Sequence, residues 1–123
     1  MQNTLFIGGG NMAFAILGGL IGSGIPASTF HVIDPSPDAA AKMSTLNIQC
    51  TTDWPSNFTP EIVVLAVKPQ LMQTVLKSQV SQLSNKLIIS IAAGVSVAQI
   101  QHWSQQNNAR VVLINTLEII SES

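Results

Sequence analysis

Short apolar runs that alternate with helix-like segments constrain the fold of this chain most strongly. The apolar runs are Thr4–Ile7, Phe30–Ile33, Ile48–Cys50, Ile62–Val67, Leu87–Ile91 and Val111–Ile114. The helix-like segments are Asn11–Ser23, Asp38–Leu46, Pro69–Leu83 and a helix that opens with the capping-box pattern Ser96–Gln99. We interpret the order as strict alternation of strand and helix. It predicts an α/β domain with a doubly wound parallel sheet, helices on both faces and right-handed crossovers.

Within this framework, Ile62–Val67 is predicted to lie at the sheet centre, because it is β-branched and apolar on both faces. Spacing assigns the inner faces of two helices: Met12, Ile16 and Leu20 in the first, and Leu71, Val75 and Leu76 in the third. Gly18 and Gly19 weaken the first helix, and we interpret them as allowing close approach to the sheet. Residues 51–60 contain two prolines and are expected to be mostly loop.

Composition narrows the class of protein. Hydrophobic residues make up 46% of the 123 residues and charged residues 9%, against about 25% charged in typical globular proteins. Such a chain buries a core, which excludes disorder. Its dispersed cations and net charge of −1 argue against nucleic-acid binding, and no apolar run reaches the length of a membrane span. Cys50 is alone, so no disulfide or thiolate metal site is predicted. We expect a soluble, cytoplasmic protein.

The first predicted strand leads directly into a glycine-rich turn. Gly8-Gly9-Gly10-Asn11-Met12-Ala13 fits the pattern G-x-G-x-x-G/A. In that pattern Gly8 allows a sharp turn, Gly10 lets a pyrophosphate approach the backbone, and Ala13 permits close packing of helix on strand. The helix N-terminus then offers N–H donors to the phosphates. The turn predicts a Rossmann NAD(P)-binding fold; a purely structural glycine turn is the alternative.

Two further strand ends carry candidate binding residues. Asp34 follows the second strand at the spacing of a ribose-binding carboxylate, which favours NAD, whereas Ser36 can donate to a 2′-phosphate. A simple turn at Asp34 is the alternative, and the choice between NAD and NADP stays open. Lys68 lies where open α/β sheets bind ligands, with a solvated lysine as its alternative. Residues 92–94 offer bare backbone against which a flat ring can lie.

Four blocks of the sequence resemble pyrroline-5-carboxylate reductase, the last enzyme of proline synthesis. They are Phe6–Ala13 with Ala15-Ile16 and Gly19-Leu20, then Asp34–Pro37, Val63–Gln70 and Ile88–Ser96. The blocks occur in the family's order and cover the chain to about Val112. A less favoured resemblance is to deazaflavin-dependent NADP reductases, which share the glycine turn; the Ser-Ile-Ala-Ala-Gly-Val block at residues 90–95 argues against it.

The resemblance implies reduction of the ring imine of 1-pyrroline-5-carboxylate to L-proline, with hydride from NADP(H) or, alternatively, NAD(H). It implies that Gly9, Asn11 and Met12 touch the pyrophosphate and that Ser36 touches the 2′-phosphate. It also implies that Ala66, Val67, Lys68 and Ala93 line the nicotinamide half. The whole predicted cofactor-binding set is Gly8, Gly9, Gly10, Asn11, Met12, Ala13, Asp34, Ser36, Ala66, Val67, Lys68, Pro69, Ala93 and Gly94. No catalytic residue and no metal ligand are predicted.

The chain departs from the family at two places. Asp34 stands where the family usually has Asn, Ser or Thr, which puts the NADP preference in doubt. After Val112 the family motif is lost, so we expect a binding domain at residues 1–112, a divergent tail at 113–123, and no helical dimerisation and substrate domain. Such a chain is expected to have little reductase activity alone; a non-catalytic nucleotide-binding module or an inactive truncated product is the alternative. The apolar tail predicts self-association through Leu113, Ile114, Leu117, Ile119 and Ile120.

Overall fold

The described residues form one parallel sheet with helices on both faces. The computed structural model describes residues 1–105 and 110–114, and its six-stranded sheet has the order β3-β2-β1-β4-β5-β6. The strands are β1 (Thr4–Ile7), β2 (Phe30–Ile33), β3 (Gln49–Thr51), β4 (Ile62–Leu65), β5 (Leu87–Ser90) and β6 (Arg110–Leu113). The order reverses between β1 and β4, which lie at the sheet centre. The predicted doubly wound fold and the central position of β4 are therefore confirmed.

In the part of the chain that the structure describes, four α-helices cover the two faces of the sheet. They are α1 (Asn11–Gly22), α2 (Pro37–Thr45), α3 (Pro69–Ser78) and α4 (Val97–Ser104). Leu17 of α1 and Met43 of α2 are fully buried in one cluster, on the sheet face that carries Phe6. Met72 and Ile100, from α3 and α4, are buried in a second cluster on the opposite face. Each helix thus removes apolar strand side chains from water, which is the main driving force for this layered arrangement.

The prediction of strict alternation is wrong between β3 and β4. The chain passes from the outermost strand, β3, to the central strand, β4, through residues 52–61, which form no helix. Pro55 and Pro60 lie in this loop, and each lacks the N–H that a helix interior needs. Both prolines are buried, and Trp54 and Phe58 pack against the core. An ordered loop therefore covers the surface that a crossover helix would cover, as the expected loop at residues 51–60 implies.

The predicted inner faces of two helices need correction. Leu71 is 52% exposed, whereas Met72 and Leu76 are fully buried, so the buried face of α3 runs through positions 72 and 76 rather than 71. In α1 the buried residues are Ala13 and Leu17. The predicted stripe of Met12, Ile16 and Leu20 is only half-buried beside them. A pattern of apolar residues gives the helical period, but small residues such as alanine decide which side meets the sheet most closely.

The glycines inside α1 do not serve the predicted close approach to the sheet. A Cβ atom added at Gly18 or Gly19 would meet no other atom within 4 Å. The substitution Gly19→Ala should therefore raise the free energy of unfolding by about 0.5–1 kcal/mol, because alanine loses less backbone entropy in a helix. Urea denaturation measures this change directly. An unchanged or lower free energy of unfolding would show that this helix face has a neighbour that the described residues do not include.

No helix among residues 1–105 and 110–114 combines the length and hydropathy that a membrane span requires.

The predicted division into residues 1–112 and a tail at 113–123 stays a prediction. β6 continues to Leu113, and residues 115–123 lie outside the described residues.

Candidate functional site

The loops that leave β1, β2, β4 and β5 lie together at one edge of the sheet. They do so because parallel strands all end at the same edge. The loops are Gly8–Gly10 after β1, Asp34–Ser36 after β2, Ala66–Lys68 after β4 and Ile91–Gly94 after β5. The first and third flank the point where strand order reverses, which is where open α/β sheets bind ligands. The fold thus brings the predicted binding segments to one place.

Gly8 holds the β1 loop against the β4 loop. Its φ of +105° lies in a region that favours glycine, and its N–H donates to the Ile33 carbonyl at 2.9 Å. A Cβ atom at this position would lie 2.6 Å from the Ala66 carbonyl oxygen and 2.8 Å from the Ala66 carbonyl carbon. Backbone therefore packs directly on backbone at the centre of the edge, as the predicted tight turn requires.

Gly9 is enclosed by the strand and helix that follow. A Cβ atom there would lie 3.0 Å from Val32 Cγ1 and 3.1 Å from the Ala39 Cβ. The terminal methyl of Met43, at 3.5 Å, completes this contact. Helix α2 therefore packs beneath the glycine turn and supports it.

Gly10 and the start of α1 face open space. Gly10 is the N-cap of α1, where it makes no side-chain capping bond, and the first turn of the helix holds no acidic residue. A Cβ atom at Gly10 would meet nothing within 4 Å. The first N–H groups of a helix lack partners within the helix and carry its positive dipole end. This end is therefore open to an anion, while Ala13, at 1% exposure, packs closely on the sheet as predicted.

Asp34 joins two loops through its carboxylate. Its Oδ2 accepts the Gly9 N–H at 2.8 Å, and its Oδ1 accepts the Ser36 N–H at 2.9 Å. The second bond is the local turn that the simpler interpretation of Asp34 predicts. The first reaches across 25 residues and fixes the glycine turn to the end of β2. Each oxygen keeps a further lone pair, so the ribose-binding role stays a prediction.

Two helix residues stand beside these loops. Ser36 is the N-cap of α2, and its hydroxyl makes no capping bond. Lys42, near the end of α2, donates from Nζ to the side-chain oxygen of Asn11, the first residue of α1. The sequence does not indicate Lys42 as a site residue, because 31 residues separate the two partners and neither helix pattern shows that they meet.

A cleft of about 340 Å³ opens at this edge, between the β1, β2 and β4 loops and helix α3. Among the predicted site residues, Gly8, Asp34 and Val67 line it. Leu71 lines it as well, which explains why this leucine is exposed rather than part of the core. Polar groups of Thr52 and Thr74 complete the wall, and no motif in the sequence indicated them. We call this space the carboxyl-edge cleft.

The remaining predicted residues surround the carboxyl-edge cleft without lining it. Lys68 is the exposed N-cap of α3, and Pro69 is that helix's first residue. Ala93 and Gly94 are exposed in the turn after β5, where Gly94 has a φ of +77°. These positions belong to the same edge of the sheet, and their contacts with a cofactor stay predictions.

His31 lies away from the carboxyl-edge cleft, buried in β2. The Thr51 hydroxyl donates its hydrogen to the Asp53 carbonyl, so it accepts from His31 Nε2–H at 2.8 Å. The Phe58 ring packs on the imidazole, with centroids 5.5 Å apart. Burial lowers the pKa of His31 from its usual 6.5, because removing a group from water disfavours its charged form.

The free energy of unfolding should therefore fall as the pH drops from about 7 to 5. The unfolded chain takes up a proton at His31 near pH 6.5, before the folded chain does. Urea midpoints at the two pH values measure the change. The substitution His31→Gln should reduce the pH dependence, and the same change at the exposed His102 serves as the control. Equal pH dependence in the wild type and the His31 variant would contradict the assignment.

Cys50 lies half-buried in β3, where its thiol contacts the Asp34 carbonyl at 3.8 Å. Burial, with the negative charge of Asp34, raises the pKa of this thiol. The described residues contain no cluster of three or more His, Cys, Asp or Glu side chains able to hold a metal ion.

Comparison with known proteins agrees with this geometry. The family described as NADP oxidoreductase, coenzyme F420-dependent, matches residues 4–94. Pyrroline-5-carboxylate reductase of Pasteurella multocida is 42% identical over 106 residues, which are 81% of this chain and 38% of that protein. The enzyme of that name from Haemophilus influenzae is 42% identical over 127 residues, which are 99% of this chain and 47% of that protein. The predicted resemblance is confirmed.

Solved structures show the same arrangement. A pyrroline-5-carboxylate reductase from Coxiella burnetii has a TM-score of 0.83 and 34% identity, over 91% of this chain and 43% of that one. Pyrroline carboxylate reductase from Plasmodium falciparum, solved with NADP bound, has a TM-score of 0.73 over 91% of this chain and 41% of that one. At 23% identity it supports the fold alone.

The chain spans only part of each relative, and the matching family is described by another name than these relatives carry. The chain spans less than half the length of the curated relatives named above. The family's description corresponds to the deazaflavin-dependent NADP reductases, which were the less favoured resemblance of the sequence. The named relatives, by contrast, are pyrroline-5-carboxylate reductases. The two findings are compatible, because the match covers the glycine turn that both groups share. Since this match extends over well more than half of the sequence, the chain belongs to the family of NADP oxidoreductases described as coenzyme F420-dependent.

Proposed function

We propose that this chain binds NADP(H), with NAD(H) as the alternative, and supplies the cofactor-binding domain for reduction of 1-pyrroline-5-carboxylate to L-proline. The open N-terminus of α1 beside Gly10 carries the proposal, because it offers N–H donors and no side chain in the way. Reductases of that name align with most of this chain. The matching family, described as NADP oxidoreductase, supports the cofactor.

The residues at the edge of the sheet fit such a cofactor in order. Backbone N–H groups at Gly10, Asn11 and Met12 would hold the pyrophosphate, and Gly9, whose own N–H already bonds to Asp34, would touch it without donating. Gly8 and Ala13 would shape the turn. Asp34 and Ser36 would face the adenosine ribose. The residues proposed to line the nicotinamide half are Ala66, Val67, Lys68, Pro69, Ala93 and Gly94. Gly8 leaves no room for a side chain, which keeps the β1 and β4 loops close enough to share one ligand.

The bound cofactor would supply the hydride, so the protein's part is to bind and orient it. The β4 and β5 loops would present bare backbone on one side of the nicotinamide ring. Cofactor binding does not require the substrate pocket, and we propose that this stretch holds little of that pocket. Reductase activity of the isolated chain is therefore expected to be low.

A non-catalytic nucleotide-binding module is the second candidate. Its support is the lining of the carboxyl-edge cleft, in which Asp34 is the one ionisable side chain among the described residues, with both carboxylate oxygens already accepting backbone N–H groups. A general acid for the imine nitrogen would then have to come from elsewhere. The two candidates share every binding residue and differ only in whether the bound cofactor is used for reduction.

We also propose that the chain self-associates and acts in the cytoplasm. Val112, Leu113 and Ile114 are 45%, 46% and 36% exposed. Ile114 borders an apolar groove of about 250 Å³ that is lined by the β1, β4 and β5 strands and α1. Exposed apolar surface of this kind usually marks an interface. A monomer by light scattering at micromolar concentration would contradict self-association.

Calorimetric titration with NADPH and NADH, separately, tests the proposed function. Micromolar binding of either is expected. The ratio of the two dissociation constants reports whether the site prefers the adenosine ribose with or without its 2′-phosphate. Absence of binding for both would overturn it. Turnover of pyrroline-5-carboxylate with consumption of the bound cofactor would favour the reductase over the non-catalytic module, whereas low turnover by the isolated chain is expected of both.

A further inference from the structure

Helix α2 supports the glycine turn from below with two kinds of side chain. Ala39 and Met43 make the apolar contact with Gly9. Lys42, between them on the helix, is half-buried and turns its ammonium toward the first residue of α1. A cation is thus held beside the loop that the proposed function assigns to the pyrophosphate.

The Lys42–Asn11 bond fixes the orientation of the Asn11 amide. An ammonium group can only donate, so the atom that it meets must be the amide oxygen. The amide nitrogen of Asn11 then points away from Lys42 with its two N–H donors available. Asn11 is the first residue of α1, so these donors lie next to the first backbone N–H groups of the helix.

The positive charge of Lys42 beside the N-terminus of α1 is electrostatically unfavourable unless an anion binds there. Helix N-termini carry a partial positive charge and prefer acidic side chains, worth about 0.3–1 kcal/mol each. The first turn of α1 has no acidic residue, and Lys42 adds a positive charge there. The Asp34 carboxylate beside Gly9 already accepts two backbone N–H groups. A bound diphosphate would relieve this accumulation of positive charge.

We propose that Lys42 is a positioning residue for the diphosphate of a dinucleotide, which it serves by orienting the Asn11 amide and by its charge. This inference rests on the proposed function. Because the diphosphate is common to NADPH, NADH and ADP, Lys42 acts on all three. It contributes little to AMP, which lacks the second phosphate, and it does not select for the 2′-phosphate.

Calorimetric titration of the Lys42→Met variant tests this role. Affinity for NADPH, NADH and ADP should fall by a similar factor, on the order of tenfold, whereas affinity for AMP should change less than threefold. Lys77→Met is the matched control, because Lys77 also lies in the last turn of its helix and is exposed, far from the glycine turn in sequence. Lys42→Arg retains a charged donor and should recover most of the affinity. Urea midpoints check that each variant folds.

A double-mutant cycle shows whether Lys42 acts through Asn11. The variant with both Lys42→Met and Asn11→Ala should lose less affinity for ADP than the product of the two single losses, since the residues form one unit. Unchanged ADP affinity in Lys42→Met would overturn the inference while leaving the proposed function intact. Loss confined to NADPH would also overturn it, because it would place Lys42 on the 2′-phosphate. Failure of the wild type to bind any of these nucleotides would instead overturn the proposed function.

Discussion

The substitution Gly8→Ala should lower the free energy of unfolding by about 3 kcal/mol or more. The added methyl would lie 2.6 Å from the Ala66 carbonyl oxygen, which is backbone and cannot turn aside. The residue would also keep a φ of +105°, which alanine rarely adopts. To relieve both, β1 and β4 would have to separate at the carboxyl edge. Urea denaturation followed by the fluorescence of Trp54 and Trp103, which pack against the core, measures the loss.

Gly10→Ala is the control, because it adds the same methyl two residues away. Gly10 has a φ of −77°, and its added methyl would meet nothing within 4 Å. Its stability should stay within about 1 kcal/mol of the wild type. Its affinity for NADPH should fall, since the methyl occupies the approach of the pyrophosphate. If the two alanine variants unfold at the same urea concentration, the packing argument for Gly8 is wrong.

The substitution Asp34→Asn should lower the free energy of unfolding by about 1.5–3 kcal/mol, which is typical for hydrogen bonds to a charged group. The carboxylate accepts from both Gly9 and Ser36. An amide has one oxygen, so its nitrogen would face one of these N–H groups, donor against donor. The same change removes a negative charge beside Ser36 and should shift the ratio of dissociation constants toward NADPH.

Urea denaturation and paired titrations with NADPH and NADH measure the two effects separately. Asp38→Asn is the matched control, because Asp38 is exposed in the first turn of α2. It removes the same charge four residues away and should cost less than about 1 kcal/mol. Equal stability of the Asp34 and Asp38 variants would show that the hydrogen bond from the Gly9 N–H to Asp34 contributes nothing to the free energy of unfolding. A lower preference for NADPH in Asp34→Asn would contradict the electrostatic argument.

The sequence was sufficient to predict the strands and the glycine turn, because these depend on local patterns. Thr4–Ile7 and Phe30–Ile33 are mostly apolar and are buried on both faces, as is typical of parallel strands covered by helices. The Ser96–Gln99 capping box was likewise predictable, since both of its bonds lie within four residues. Such features hold whatever the rest of the chain does.

What the sequence did not indicate depends on contacts between distant residues. The Asp34–Gly9 and Lys42–Asn11 bonds join segments 25 and 31 residues apart, and each requires the finished sheet. The exposure of Leu71 could not be predicted either, because an apolar residue at a helix start is suited to both a core and a ligand cleft. The connection between β3 and β4 was correctly expected to be mostly loop from its two prolines, and it is the general rule of strict alternation that fails there.

The order of the strands has a consequence for how the molecule assembles. β1 pairs with β2, and β4 with β5, by closing short stretches of chain. The β1–β4 pairing joins Thr4 to Ile62 and must close a stretch more than twice as long as that between Thr4 and Phe30. Each doubling adds about 0.6 kcal/mol to the entropy of closure. The carboxyl-edge cleft therefore opens beside the strand pairing that closes the longest of these stretches. A ligand that contacts both the β1 and β4 loops would slow the separation of these strands and protect the amide hydrogens between them from exchange.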